Sequence, residues 1–429
     1  MSTLRILVPT HVMPNVKSVV TLFFDNLLPV LRTKTKVHMI WLVYQPEKLH
    51  LSSQQNSDTT ILDIHDYENA LEILQKVKPD IIHANATWSF IDHALSSAAK
   101  LLNIPVVSLF FSDWVFSERV STLTRLKLLT KRFVESSIPT DTMLDKKQIM
   151  RRGRFFIYKY LFLLKTQKVT KINRLRSFFM LSRFIIFDKM DSRFSNTLHF
   201  LENEGQLKPL LDLGFKRSTL VITGNPIYDA AFQKSNQKKT QTKKNDFIRV
   251  LLAPSTQYEH GFWTREQRDK TVKEILTQIH KNKEQMSAVV KIHPSTSRLS
   301  EYQLIINSID PSIQLYQKGD IQQFIEDTDL EISFQSSTAE LYALIAKKPI
   351  IICNFFNEKK SIFVEKGLAI ECNEPNDLIP LIHESLQSNS EYEQNRENFI
   401  KEYLYKGDGR ASERISDELM AILEKRKSL

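Results

Sequence analysis

Short apolar runs of strand character alternate with stretches of helical period, and this alternation constrains the fold more than any other feature of the chain. Arg5–Pro9 reads as a strand, Ser18–Leu31 carries apolar residues at helical spacing, Val37–Tyr44 is rich in β-branched and aromatic residues, and Thr59–Ile64 reads as a third strand. Tyr67–Val77 is helical and ends at the Lys78-Pro79 step, because proline pushes the residue before it out of the helical region. Asp80–Ala84 is a strand, Phe90–Leu102 a helix and Pro105–Phe111 a continuous apolar strand. Strands separated by helices of about 10–15 residues form crossovers, and crossovers give parallel sheets.

The alternation pauses over 112–196, a basic and aromatic stretch of helical character that reads as an insertion, and resumes with strands at Thr197–Leu201 and Thr219–Thr223. A polar, lysine-rich stretch, Gln233–Asp246, then has no period and reads as a linker. A second alternating set follows, with strands at Ile248–Ala253, Ala288–Ile292, Ile313–Tyr316, Leu330–Ser333, Pro349–Cys353 and Leu368–Ile370. Helices over Arg265–His280 and Ser337–Ala346 lie between them, and the chain ends in helical patterns at Asn376–Gln387 and Tyr392–Lys425. The expected fold class is α/β, with two Rossmann-like doubly wound parallel-sheet domains facing across a cleft. The expected domains are 1–226 for an acceptor substrate, a linker at 227–247, 248–390 for a nucleotide donor, and terminal helices at 391–429. In such sheets ligands bind beyond the carboxyl ends of the strands.

Composition excludes several chemistries. Two cysteines, Cys353 and Cys372, are too few for a disulfide framework, a thiolate zinc cluster or an iron–sulfur centre. Nine glycines in 429 residues, with no GxGxxG or GxxxxGK[ST], leave no glycine-rich phosphate cradle. The first apolar run, Ile6-Leu7-Val8, is broken by Pro9 and reads as a strand, and no run reaches the ~18 apolar residues of a spanning helix. A cytoplasmic protein is expected.

Charge is concentrated. From Glu118 to Lys189 there are eighteen Lys or Arg and five Asp or Glu, a net of +13, so the rest of the chain sums to −3 against a total of +10. Arg151, Arg152 and Arg154 precede Phe155, Phe156, Tyr158 and Tyr160. Three readings are open: a helix in an anionic membrane interface, aromatics packed in the first domain under a solvated basic face, or stacking on single-stranded nucleic acid. The membrane or lipid-linked acceptor is the reading carried forward, with no nucleic acid partner expected.

Four loops at predicted strand ends carry candidate chemistry. Lys291-Ile292-His293-Pro294 ends a strand; His293 suits a phosphate contact or acid catalysis, or it caps the next helix, and Lys291 adds charge. Phe334-Gln335-Ser336-Ser337-Thr338-Ala339-Glu340 joins a strand to a helix whose free N–H groups suit a phosphate. Ser336, Ser337 and Thr338 add hydroxyl donors, and Glu340 suits a ribose. The same letters also spell a capping box of Ser337 with Glu340. Ser255 and His260 lie in the loop after the second domain's first strand, and His11 in the equivalent loop of the first domain. His11 is placed to act as a general base toward an acceptor hydroxyl, or it is a solvated loop histidine.

These pieces resemble known families. Val221-Ile222-Thr223-Gly224-Asn225-Pro226-Ile227-Tyr228-Asp229 is similar to the hinge of GT-B glycosyltransferases and UDP-N-acetylglucosamine 2-epimerases. Lys291-Ile292-His293-Pro294 with Ser336-Ser337 resembles the HP and SS motifs of bacterial polysialyltransferases and CDP-glycerol glycerophosphotransferases. Tyr403-Leu404-Tyr405-Lys406-Gly407-Asp408-Gly409-Arg410-Ala411-Ser412-Glu413-Arg414-Ile415 is similar to the end of the latter domain. The resemblance covers residues 220–420. It implies a GT-B fold with the donor in the C-terminal domain, His293, Ser336 and Ser337 on the donor phosphate, and Glu340 near the ribose. It implies transfer of a CMP-, CDP- or UDP-activated group to a glycan or lipid-linked acceptor in surface polysaccharide synthesis, without a metal or other cofactor. The epimerases' catalytic acidic and histidine motifs are not recognisable in the chain. Epimerisation of a UDP-sugar and a non-catalytic scaffold are the alternatives.

Overall fold

A computed structural model of the chain describes residues 3–16, 18–49, 58–85, 89–110, 146–170, 196–237, 247–259, 262–294, 298–334, 337–387 and 389–427. It divides into two compact units, one of Met1–Asp229 with Glu402–Leu429 and one of Ala230–Lys401. The first contains strands β1 (Leu4–Thr10), β2 (Val37–Val43), β3 (Thr59–Asp63), β4 (Ile81–His83), β5 (Val106–Phe110), β6 (Leu198–Leu201) and β7 (Leu220–Ile222). Its helices include α1 (Val19–Lys34), α2 (Ala70–Val77), α3 (Phe90–Leu101), α4 (Lys146–Thr170) and α5 (Leu207–Asp212). Helix α6 (Asp229–Gln237) leads into the second unit, with strands β8 (Ile248–Leu252), β9 (Met286–Lys291), β10 (Gln314–Tyr316), β11 (Leu330–Ser333), β12 (Ile350–Cys353) and β13 (Ile370–Cys372). Between them run α7 (Arg265–Lys281), α8 (Leu299–Asn307), α9 (Ile321–Glu326), α10 (Thr338–Ile345) and α11 (Ile362–Glu365). After β13 come α12 (Leu378–Ser385), α13 (Ser390–Tyr403) and α14 (Ala411–Lys427).

Both sheets are parallel and doubly wound. The orders are β3-β2-β1-β4-β5-β6-β7 and β10-β9-β8-β11-β12-β13, so each reverses direction beside its own first strand. The strands read as continuous apolar runs because both faces are covered. In the first unit, Leu7, Ile40, Leu42 and Ile82 face α2, α3 and α4, with Phe162 and Leu163 of α4 inside that core. Ile6, Val8, Met39 and Trp41 face the other way, onto Phe23, Phe24 and Leu27 of α1 and Ile415 and Leu419 of α14. Odd and even strand positions therefore fill two separate cores.

Two expected boundaries move. The segment expected to link the domains begins as helix: Asn225 accepts the Ile227 amide at 3.1 Å ahead of Pro226, which starts the turn leading to α6. Ser235 then donates to the Ile345 carbonyl at 2.7 Å, which holds α6 within the second unit. The pattern expected as one helix over Tyr392–Lys425 breaks into α13 and α14, because Tyr405, Gly407 and Gly409 take positive φ of 66°, 60° and 66°. The chain returns there to the first unit.

That return explains why the hinge and terminal motifs occur together. Asp229 accepts the amides of Ala411 at 2.9 Å and Ser412 at 2.7 Å, as an acid does at a helix start. Arg414 donates to the Thr223 carbonyl at 2.7 Å and pairs with Asp408 at 2.8 Å. Gly224, at φ +79°, has the Ala411 methyl 3.3 Å from where its own Cβ would stand. The two motifs clasp the C-terminal helix to the first sheet.

Candidate active site

In the second unit the sheet reverses between β8 and β11, and the loops leaving these strands are joined across that point. Ser255, buried, donates to the Phe334 carbonyl at 2.7 Å. Trp263 stacks on Phe334 with centroids 5.3 Å apart and donates to Glu358 at 2.7 Å. Arg268 lies between the rings of Tyr258 and Tyr302, at 4.4 and 5.0 Å, and pairs with Glu301. These contacts tie the segments after β8, β11 and β12 together and join α7 to the start of α8. Sequence reading missed Trp263 and Arg268, which carry no local motif, while Tyr258 lies in the candidate loop of Ser255 and His260.

The predicted site residues separate by role. His293 and Pro294 are exposed beyond the end of β9, while Lys291 and Ile292 are buried. Lys291 is a correction: its ammonium donates to the Ile292 and Gln317 carbonyls at 2.9 and 3.0 Å, tying the end of β9 to the segment after β10. Burial lowers its pKa, with Asp320 opposing. Lys291 braces the rim and does not share the exposed position of His293.

Ser337 is the N-cap of α10. It accepts the Ala339 amide at 3.2 Å, and its own amide and hydroxyl donate to Glu340 at 2.8 and 2.6 Å. Ser333 donates to the other Glu340 oxygen at 2.5 Å, and Glu340 has no exposed surface. Both oxygens of the residue expected near a ribose are thus engaged at the helix start, which is the capping box. Burial raises the Glu340 pKa, and the hydroxyls of Ser333 and Ser337 oppose it. Thr338 is exposed on the first turn. Ser336 and His260 lie outside the described residues.

In the first unit the sheet reverses between β1 and β4. His11 is exposed on the loop after β1, with its ring 6.3 Å from that of Tyr44 at the end of β2. Gln45 donates to the His11 carbonyl at 3.3 Å. Partial burial, then the charge of Lys159, lowers the His11 pKa. Across the reversal, Asp92 accepts the Asn85 amide at 3.2 Å and a bond from Ser89, the N-cap of α3. Burial pushes the Asp92 carboxyl up to about 6, against these donors. Burial and the Asp92 charge also raise the Tyr44 pKa. Asp92 and Tyr44 were not read from the sequence, where SFID at a helix start looks like any cap.

The basic insertion is described over α4. One face docks: Phe162 and Leu163 are buried, Ala70 donates to the Thr166 hydroxyl at 3.0 Å, and Tyr158 donates to the Ile64 carbonyl at 3.2 Å. Arg154, Ile157, Leu161, Lys165 and Lys168 are exposed. Arg151 and Arg152 belong to α4, with their side chains outside the description, as are residues 111–145 and 171–195. The packed reading therefore holds for one face of this helix. No described helix is long and apolar enough to cross a membrane.

No family model matches the chain, and no curated protein matches it in sequence. Its fold does match solved structures. The UDP-bound structure of S. aureus MnaA aligns over 98% of this chain and 97% of its own, with a TM-score of 0.52 and 15% identity. The UDP-GlcNAc 2-epimerase from Neisseria meningitidis bound to UDP-GlcNAc gives 0.52 and 14% over 98% and 100%. The UDP-GlcNAc 2-epimerase from Methanocaldococcus jannaschii gives 0.51 and 15% over 98% and 100%. With two doubly wound parallel sheets of order 3-2-1-4-5-6, the chain has a GT-B-type fold.

Proposed function

We propose that this chain is a GT-B-type glycosyltransferase or related glycerophosphotransferase. It transfers a nucleotide-activated sugar, sugar acid or glycerophosphate to a hydroxyl of a glycan or lipid-linked acceptor in surface polysaccharide synthesis. The observation that carries this reading is the rim of the second sheet. The bridged loops of Ser255 and Phe334, the start of α10 at Ser337 and Thr338, and the exposed His293 stand at neighbouring strand ends. A helix start and a histidine suit the developing charge of a departing nucleotide phosphate. His293 stabilises or protonates that phosphate. On the first sheet, His11 or Asp92 takes the proton from the acceptor hydroxyl; each has a pKa displaced toward or below neutrality by its surroundings. The exposed face of α4 rests on an anionic membrane surface, where a lipid-linked acceptor is found.

A second reading, epimerisation of a UDP-sugar, is favoured by the fold likeness to UDP-GlcNAc 2-epimerases. A panel of CMP-, CDP-, UDP- and GDP-linked donors separates the readings. Nucleotide released only when an acceptor hydroxyl is present supports transfer. Inversion at C2 of the sugar supports epimerisation, and binding without turnover supports a scaffold.

A further inference from the structure

The two cysteines of the chain meet across one pair of strands. Strands β12 and β13 are parallel neighbours, and their register sets Cys353 directly opposite Cys372. Opposed residues of neighbouring strands stand roughly 4.8 Å apart, inside the ~4.4–6.8 Å Cα separation that a disulfide spans. Both side chains enter the same core, with Ile351, Leu378 and Ile382, so the two thiols project from one face of the sheet. The Cys353 thiol hydrogen-bonds the Cys372 sulfur, and Cys372 donates to the Glu374 carbonyl at 3.2 Å. The bond from Cys353 holds the Cys372 pKa below the usual thiol range against burial, whereas burial raises that of Cys353. Cys372 is therefore the better nucleophile of the two. It also lies on the more accessible strand. Strand β13 is three residues long and stands at the edge of its sheet, paired with β12 alone. Such strands open locally at lower cost than central ones. The segment 354–371 between the two cysteines contains Glu358, which receives the Trp263 indole at the rim of the second sheet.

We infer that Cys353 and Cys372 are a redox-responsive pair, which hydrogen peroxide closes to a disulfide that staples the rim segment 354–371. The Cys372 thiolate attacks one peroxide oxygen, the O–O bond breaks, and the departing hydroxide takes up the thiol proton as water. The sulfur of Cys353 then attacks the Cys372 sulfenic acid. The S–S bond forms, the S–O bond breaks, and the hydroxyl leaves as a second water with the Cys353 proton. Two thiols and one peroxide thus become one disulfide and two waters. A dithiol reverses the closure by exchange and is itself oxidised. Neither a donor nor an acceptor takes part, so the inference stands apart from the transferase reading.

The test treats the reduced full chain with hydrogen peroxide, then unfolds it in N-ethylmaleimide and reads its mass. Both cysteines should be labelled before oxidation, neither after it, and both again after dithiothreitol. Peptide mapping should join Cys353 to Cys372 within a single chain. Cys353→Ser removes the resolving thiol, so Cys372 should accumulate as a sulfenic acid that dimedone traps. In Cys372→Ser the remaining Cys353 should take up little dimedone. Thermal unfolding checks the fold of each variant, and the labelling of the parent decides the matter if either fails to fold. Amide hydrogen exchange over 354–371 should slow in the oxidised parent. The pair is refuted if peroxide leaves both thiols free, carries them to sulfinic acids without joining them, or joins one chain to another. Dimedone uptake by Cys372→Ser and not by Cys353→Ser overturns the order of attack. A disulfide with unchanged exchange over 354–371 overturns the stapling.

Discussion

The two sheets reverse direction in the same way, yet their rims at the reversal are chemically unlike. In the second unit the charged groups turn inward. Lys291 bonds carbonyls, Glu340 is consumed by two serines, and the rim presents hydroxyls, a helix start and one histidine. In the first unit ionisable groups gather at the rim: His11, Tyr44 and Asp92. A rim of fixed dipoles suits a ligand that brings its own charge, as a nucleotide diphosphate does. A rim of titratable groups suits proton transfer and a partner whose charge state matters. The same topology thus gives a dipolar and a titratable edge, and the difference can be tested at single residues.

The largest effect is expected at His293, the one histidine on the described dipolar rim. His293→Ala should lower kcat/KM for the active donor at least ~10²-fold with the fold intact, the scale for losing a positioned acid or electrostatic donor. Steady-state kinetics with the donor found in the panel checks this. Near-normal turnover removes His293 from the mechanism and leaves the second rim a binding surface only.

The next effect lies under that rim. Glu331, in the middle of β11, is buried, and neither carboxylate oxygen has a hydrogen-bond partner among the described residues. Burial first, and then the charge of Glu340, raises its pKa well above the ordinary range. An acid raised in the folded state contributes stability fully below its unfolded value of about 4.3, and that stability is lost as pH rises toward the folded value. Glu331→Gln has no such loss. It should match the parent near pH ~4 and be more stable by at least about 1 kcal/mol near neutrality, in urea unfolding across that range. A constant difference at every pH contradicts a protonated Glu331.

How far these features were legible depends on what kind of pattern carries them. The strands were legible because a sheet covered on both faces demands long apolar runs, and Val37–Val43 or Ile350–Cys353 read as nothing else. The capping box was legible because Ser337 and Glu340 stand three apart before an apolar helix. Lys291 was misplaced because a lysine at a strand end looks exposed, and only the carbonyls of Ile292 and Gln317 show why it turns in. The aromatics of α4 were ambiguous for a related reason. Phe162 packs and Leu161 is exposed, although they are adjacent and both apolar, because docking on α2 and α3 selects one face. Asp92 became a candidate only when its burial and Tyr44, from the end of β2, were found beside the local cap of Ser89 and Asn85.

A smaller effect probes whether the helix start of the dipolar rim does more than cap. Ser337→Ala should cost roughly 1 kcal/mol of stability, the usual value of an N-cap. If the rim holds a nucleotide, calorimetric titration should also show weaker binding. Lost stability with unchanged nucleotide affinity would assign Ser337 to capping alone, and the dipolar character of the rim would then rest on His293.

The smallest effect concerns the first unit and the outer face of α4. Ile157 and Leu161 are 56% and 49% exposed, an arrangement that serves no packing role in the described structure, and Arg154, Lys165 and Lys168 stand exposed on the same helix. Exposed apolar groups bordered by cations match the boundary between anionic headgroups and acyl chains. Co-sedimentation should show binding to phosphatidylglycerol vesicles and little to phosphatidylcholine vesicles, weakening as salt rises. Each basic residue near such a surface is worth about 1 kcal/mol, so Arg154→Glu should weaken binding at least about fivefold. Ile157→Ser with Leu161→Ser should weaken it on both lipids and leave the salt dependence in place, because these residues act by insertion and not by charge. Equal failure to bind either vesicle would make α4 a cover for the first sheet, held there by Phe162, Leu163 and Thr166.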